Sequence, residues 1–181
     1  MRDEELLDQI ARGDEKALKK LMDLYKNRLF FYIYGLLENY EDAQEALIET
    51  FYQVWRSAKN FKGSSKVSTW LFGIARNVSR NMLRKRMREI KTVEIMEHDA
   101  IFEDQSIDSE SVELVKKALD RLSVAHREVL HLAFYEELPY EEIAKILGIP
   151  LGTVKTRVFY AKKRLLEVIK ELKDEELKES F

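Results

Sequence analysis

Between Leu151 and Arg164 the chain carries five cations, no acid and two adjacent aromatic residues. The side chains of Lys155, Thr156, Arg157, Phe159, Tyr160 and Lys163 suit one kind of chemistry, the binding of duplex DNA. Lysine donates to guanine O6 and N7, threonine pairs with either base edge, and an apolar ring meets the thymine methyl. Arg157, Lys162, Lys163 and Arg164 suit phosphate oxygens, contacts that position a protein without specifying sequence. Helical spacing sorts the segment. Val154, Val158, Ala161 and Leu165 recur at i, i+4, i+7 and i+11 as an inward seam. Lys155, Thr156, Phe159, Tyr160 and Lys163 are left facing out. Phe159 keeps a second reading, packing against a neighbouring helix, and the sequence leaves both open.

An outward basic face needs an element to hold it, and the preceding residues supply one. Ile143, Ala144, Ile146 and Leu147 form the buried stripe of a short helix. Gly148 stands where a helix C-terminus needs positive φ, and Pro150 cannot continue the helix before it. A helix, a glycine turn and a second, cationic helix make a helix-turn-helix, whose second helix enters the major groove.

The first half offers another candidate surface. Phe61, Lys66 and Trp70 stand in or beside the Gly/Ser/Lys-rich loop from Asn60 to Ser68, and Arg76, Asn77 and Arg80 follow on a helix. Cations that track a backbone, with rings and amides that take an unstacked base, fit single-stranded DNA better than duplex. The opposing reading is structural: Trp70, Phe72, Ile74 and Val78 keep core spacing, and a basic helix face is often only solvated. Catalysis has little to work with. Cysteine is missing, which rules out disulfides and thiolate metal sites. His98, His126 and His131 are the three histidines; i, i+5 spacing puts the last two on different faces, as packing or surface residues. Neither a P-loop, nor HExxH, nor a nucleophile elbow occurs. No enzyme activity, cofactor or metal is expected.

Composition sets the frame for both surfaces. With 181 residues, 45% of them hydrophobic, and only two prolines and six glycines, long helix-period segments argue for an all-α chain. A net charge of −2 argues against nucleic acid until its distribution is considered. Arg56 to Lys91 holds eleven Lys and Arg against one acid, and Thr92 to Val115 holds eight acids with no Lys or Arg. Two basic blocks around an acidic one predict two DNA-facing modules and a connector kept off the duplex. The expected architecture is two small helical domains, 1–91 and 112–181, joined by a flexible acidic linker at 92–111, with the helix-turn-helix in the second. Helices are expected from Glu4 to Arg12, from an Asp14 cap to about Leu37, from Glu41 to Trp55, and from a Ser68 or Thr69 cap through Met82. Further helices begin near Val112 and at Val124, the latter continuing to Tyr135, while Lys170 to Phe181 is expected to fray. No signal peptide opens the sequence, and the apolar run Leu29–Leu37 is far short of the roughly 20 residues that span a bilayer. A soluble cytoplasmic protein without membrane insertion is expected.

Taken together, the two halves resemble a bacterial RNA polymerase sigma factor of the extracytoplasmic-function type, over nearly the whole length. The segment from Asp42 to Trp55 resembles the family's polymerase-clamp helix. That from Ser68 to Asn77 resembles its promoter-melting segment, and Gly152 to Arg157 resembles the start of its upstream-element helix. The resemblance implies binding to core RNA polymerase, with Asp42, Gln44, Glu45, Glu49 and Gln53 facing the clamp. It also implies promoter DNA in two forms: a duplex −35 element under the helix-turn-helix, and a −10 element opened by the first domain. Phe61 and Asn77 would line the pocket for a flipped base, and Lys66 and Trp70 would shape its loop. The family often has Asp-Ala-Glu-Asp where this chain has Asp42-Ala43-Gln44-Glu45, and arginine at the positions of Lys155 and Tyr160. The acidic linker reads either as a solvated connector or as a segment that lies in the polymerase's positively charged channel. No sensory segment follows the second module, so a separate anti-sigma factor is expected to regulate the protein. A response regulator with a similar motif is the rival, but the first half has no alternating βα pattern.

Overall fold

The computed structural model describes residues 2–90 and 109–181, and most of the expected linker lies outside them. The described residues are helical, without strands, and the chain divides into two compact units. The first contains α1 (Asp3–Ala11), α2 (Glu15–Leu37), α3 (Tyr40–Ser57), a 3-10 turn (Ala58–Asn60) and α4 (Val67–Ile90). Asp14 caps α2 as its sequence position suggests, its Oδ1 accepting from the Lys16 and Ala17 amides at 2.8 and 3.2 Å. The expected Ser68 or Thr69 cap of α4 is corrected: the helix already includes Val67, and Thr69 is buried. Helices α2, α3 and α4 pack on one another around Leu21, Leu29, Ile33, Val54, Leu71 and Phe72, all fully buried. At the edge of this core the Tyr25 hydroxyl donates to Asp3 Oδ2 of α1. Burial first, and then the Asp3 carboxylate, push the Tyr25 phenol far above its ordinary value.

The second unit contains α5 (Ser109–Asp120), α6 (Val124–Leu130), α8 (Leu151–Glu179) and the start of α7 (Tyr140–Leu147), of which Ala144 onward is grouped with the first unit. Ser123 Oγ caps α6 by accepting from the His126 amide. Three expectations are corrected here. Helix α5 starts at Ser109, inside the expected linker. The segment Val124–Tyr135 is not one α-helix, because His131–Tyr135 forms a π-helical turn whose i, i+5 bond runs from the Glu136 amide to the His131 carbonyl at 3.0 Å. Lys170 onward does not fray; α8 continues to Glu179. The reason lies in α5, which packs along α8 where Val168 and Leu172 are buried. Arg121 also donates both guanidinium nitrogens to Glu175, at 3.1 and 2.9 Å. Among the described residues no helix is long and apolar enough to cross a membrane.

Candidate nucleic-acid interfaces

The helix-turn-helix forms as its spacing implies. Gly148 adopts φ +64° after α7, and Pro150, with ψ 148°, opens α8. Val154, Val158 and Ala161 are buried, and Leu165 is half-buried. That seam fixes what faces outward: Lys155, Thr156, Phe159, Tyr160 and Lys163 are all exposed, while Arg157 is half-buried on the flank. Phe159 is 64% exposed, which removes the alternative of packing against a neighbouring helix. Its ring meets Tyr160 edge-to-face, with centroids 5.4 Å apart.

Two cations assigned to phosphate are engaged within the unit. Arg164 Nη1 lies 3.4 Å from Glu167 and 3.1 Å from Glu171, and Lys162 Nζ lies 4.8 Å from the Phe134 ring centroid. Spacing makes the Glu167 pair at i, i+3 readable, whereas Glu171, two turns on, and Phe134, in the π-helical turn, are not. Thr156 is also committed, its Oγ1 donating to the Gly152 carbonyl at 3.0 Å.

In the first unit the loop after the 3-10 turn folds back on itself. The Phe61 and Trp70 rings stand 5.4 Å apart, both half-buried, and the Trp70 amide donates to the Lys66 carbonyl at 3.1 Å. Along α4, Trp70, Gly73, Asn77 and Arg80 recur at i, i+3, i+7 and i+10, so one face carries Trp70, Asn77 and Arg80. Arg76 sits one step round the helix and is half-buried. Phe72 and Val78 are core, as expected, but Ile74 and Trp70 are only half-buried. Gly73 went unremarked in the sequence. A glycine inside a helix costs up to about 1 kcal/mol relative to alanine, and a Cβ there would meet nothing within 4 Å. The same is true of Gly152 in α8 and of Gly35 in α2. Openness alone therefore marks no site; Gly73 and Gly152 stand out because they lie on the two basic faces.

The five clamp-helix residues do not share one face of α3. Glu45 and Glu49 are exposed; Gln53, whose amide donates to Glu49 at 3.0 Å, is half-buried. Asp42 pairs with Arg86 of α4 at 3.3 Å, and Gln44 lies on the other flank, its amide donating to the Tyr40 hydroxyl at 2.9 Å. The outward centre is Glu41, Glu45, Ile48 and Tyr52, at i, i+4, i+7 and i+11. Ile48 is 71% exposed, and Arg56 lies over the Tyr52 ring at 5.6 Å. Ile48 and Tyr52 were missed, although an isoleucine out of step with Ala43, Ala46 and Val54 is a readable signal.

A four-helix module followed by one with a cationic helix-turn-helix defines a class of DNA-binding initiation factor. Residues 21–89 match the model of sigma-70 region 2, residues 118–167 match that of sigma-70 region 4, and the chain belongs to the sigma-70 family. Within it the chain is of the extracytoplasmic-function type. It is 30% identical to the RNA polymerase sigma-H factor of Pseudomonas aeruginosa over 183 residues, covering 94% of this chain and 95% of that protein. It is 28% identical to the extracytoplasmic-function sigma factor SigW of Bacillus subtilis, over 92% and 96%. Among solved structures it resembles the sigma factor RpoE of Bartonella quintana, crystallised with the anti-sigma factor NepR. The TM-score is 0.75 at 32% identity, over 86% of this chain and 98% of that one. The chain is thus a transcription initiation factor, of a family that works with RNA polymerase on DNA.

Proposed function

We propose that this chain directs core RNA polymerase to promoters by gripping the DNA at two places. In this reading α8 lies in the major groove of the −35 element, with Lys155, Thr156, Phe159 and Tyr160 toward bases and Arg157 and Lys163 toward phosphates. The first module, residues 1–91, opens the −10 element. Phe61 and Asn77 receive an unstacked base, Lys66 and Trp70 shape the loop, and Arg76 and Arg80 hold the strand backbone. Helix α3 docks on the polymerase clamp through Glu45 and Glu49, with Asp42, Gln44 and Gln53 beside them. One observation carries most weight: from Leu151 to Arg164 the outward face of α8 is acid-free and holds the exposed rings of Phe159 and Tyr160. The protein would act in the cytoplasm, beside the chromosome. A separate anti-sigma factor would restrain it, as the Bartonella relative's complex suggests by kinship. Run-off transcription with bacterial core polymerase tests the whole: promoter-specific transcripts and permanganate-reactive thymines near −10 are expected, and their absence on every template refutes the reading.

A further inference from the structure

We propose that the bond from Tyr25 to Asp3 is a positioning tie for the −10 pocket. By pinning the N-terminal end of α1 it holds the 3-10 turn that leads into Phe61 and the part of α4 that carries Asn77. The inference rests on the reading of the first module as the opener of the −10 element. It adds two residues that act on the pocket from inside the fold.

Helix α1 has nine residues, too few to persist alone in water. Leu6, Leu7 and Ile10 are buried, and the helix packs on α2, on α3 and on the 3-10 turn Ala58–Asn60. Its C-terminal end is fixed by the turn into α2, where Gly13, at φ +89°, donates its amide to the Ile10 carbonyl at 2.9 Å. Its N-terminal end is held by Asp3, whose Oδ2 accepts from the Tyr25 hydroxyl. Tyr25 is buried, and phenylalanine would fill the same space, so the hydroxyl adds the bond alone. Burial and then the Asp3 carboxylate raise the phenol above its ordinary value, so the donor keeps its proton at neutral pH.

Two routes lead from this tie to the pocket. The first runs through the 3-10 turn. Ala58 is buried and accepts from the Phe61 amide at 3.2 Å, and the Phe61 ring stands 5.4 Å from that of Trp70. A shift of α1 therefore moves the residue that starts the loop. The second route runs through Arg28, about one turn along α2 from Tyr25. Its guanidinium lies 5.0 Å from the Tyr25 ring centroid and 5.8 Å from that of Phe72. Phe72 is fully buried in α4, between Trp70 and Asn77. Close-packed interiors transmit a displacement instead of absorbing it. Both the loop and the α4 side of the pocket thus depend on where α1 sits.

Holoenzyme reconstituted with Tyr25→Phe or Asp3→Ala tests the tie. Permanganate reactivity of the −10 thymines should fall about fivefold with either, the equilibrium effect of one ordinary hydrogen bond. The two changes together should lose no more than one of them, and Asp3→Glu, which keeps a carboxylate, should recover most of the opening. Core affinity and upstream-duplex binding should stay unchanged, and each variant should still melt in one cooperative transition. In a Phe61→Ala background Tyr25→Phe should cost nothing further, because the tie works through the pocket. Undiminished opening in both single variants overturns the inference and leaves the −10 reading standing. A further loss in the Phe61→Ala background, or an equal fall in core affinity, makes the pair a support of the fold alone and also overturns it. If Phe61→Ala by itself opens promoters as well as the unaltered protein, the pocket reading fails and the inference with it.

Discussion

Replacing Gly152 with alanine should push stability and DNA binding in opposite directions. Gly152 sits in the first turn of α8 with an ordinary helical φ, and a Cβ there would meet no atom within 4 Å. The added methyl therefore meets no steric penalty in the protein, and it removes conformational freedom from the unfolded chain. Gly→Ala at such a position is worth about 0.5–1 kcal/mol. For a module of this size that raises the melting temperature by about 4 °C. Against DNA the same methyl stands where the duplex is proposed to lie, beside the amides at the helix start. Displacing one such contact costs about 1 kcal/mol, or roughly fivefold in affinity. Thermal melting of the free protein, paired with holoenzyme binding to an upstream-element duplex, measures both. A variant that is more stable and binds equally well would mean that α8 does not approach DNA by its first turn. The major-groove placement would then have to be abandoned.

Lys155→Ala should weaken upstream-element binding by about 1–3 kcal/mol and flatten preference at one base pair, with core association unchanged; an equal loss on all sequences would make Lys155 a phosphate contact instead. Asn77→Ala should lower permanganate reactivity near −10 while duplex binding upstream stays the same, and unaltered opening would remove Asn77 from the pocket. Ile48→Lys, on a side chain 71% exposed, should leave unfolding within about 0.5 kcal/mol yet lower core affinity at least tenfold in competition with another sigma factor. Lys163→Ala should flatten the log–log salt dependence of DNA binding by about 0.9. Arg164→Ala should leave that slope alone, because Glu167 and Glu171 already hold the guanidinium.

Those last two variants mark the border between what the sequence discloses and what it conceals. Arg164 and Lys163 are neighbours of one charge class, and spacing assigned both to phosphate. Glu167 stands within one turn of both, and only the packed helix shows Arg164 reaching it and Glu171 together. Seams, caps and the glycine turn were legible because each follows from backbone requirements repeated along a few residues: Asp14 at an N-cap, Gly148 at positive φ, Val154 and Val158 one turn apart. The continuation of α8 past Lys170 was hidden because its support comes from some fifty residues earlier, from α5 and from Arg121 just beyond its end, with Val168 and Leu172 buried. The π-helical turn was hidden for a related reason: one extra residue per turn leaves a local pattern almost unaltered while shifting the ladder. At the candidate sites the residue types were legible, whereas their directions were not. Thr156 turns its hydroxyl to Gly152, and Asp42 and Gln44 point to opposite flanks of α3.

If the proposed reading holds, the arrangement of charge in the first unit would let one small module serve two unlike partners. Glu41, Glu45 and Glu49 lie on the outer side of α3, while Asn77 and Arg80 lie on a face of α4 with Lys66 at its loop end. Had these charges been mixed, each surface would have drawn both DNA and basic protein and held neither in register. Separation makes each wrong partner repulsive, since phosphates are turned away from α3 and a cationic protein surface from α4. The Asp42–Arg86 pair, 3.3 Å long, stands where α3 and α4 meet and uses one charge from each set. The pair leaves a local neutral seam between the two fields. The modest total charge of −2 is then the sum of opposed surfaces, each of which acts on what lies within about a Debye length, roughly 8 Å at physiological salt.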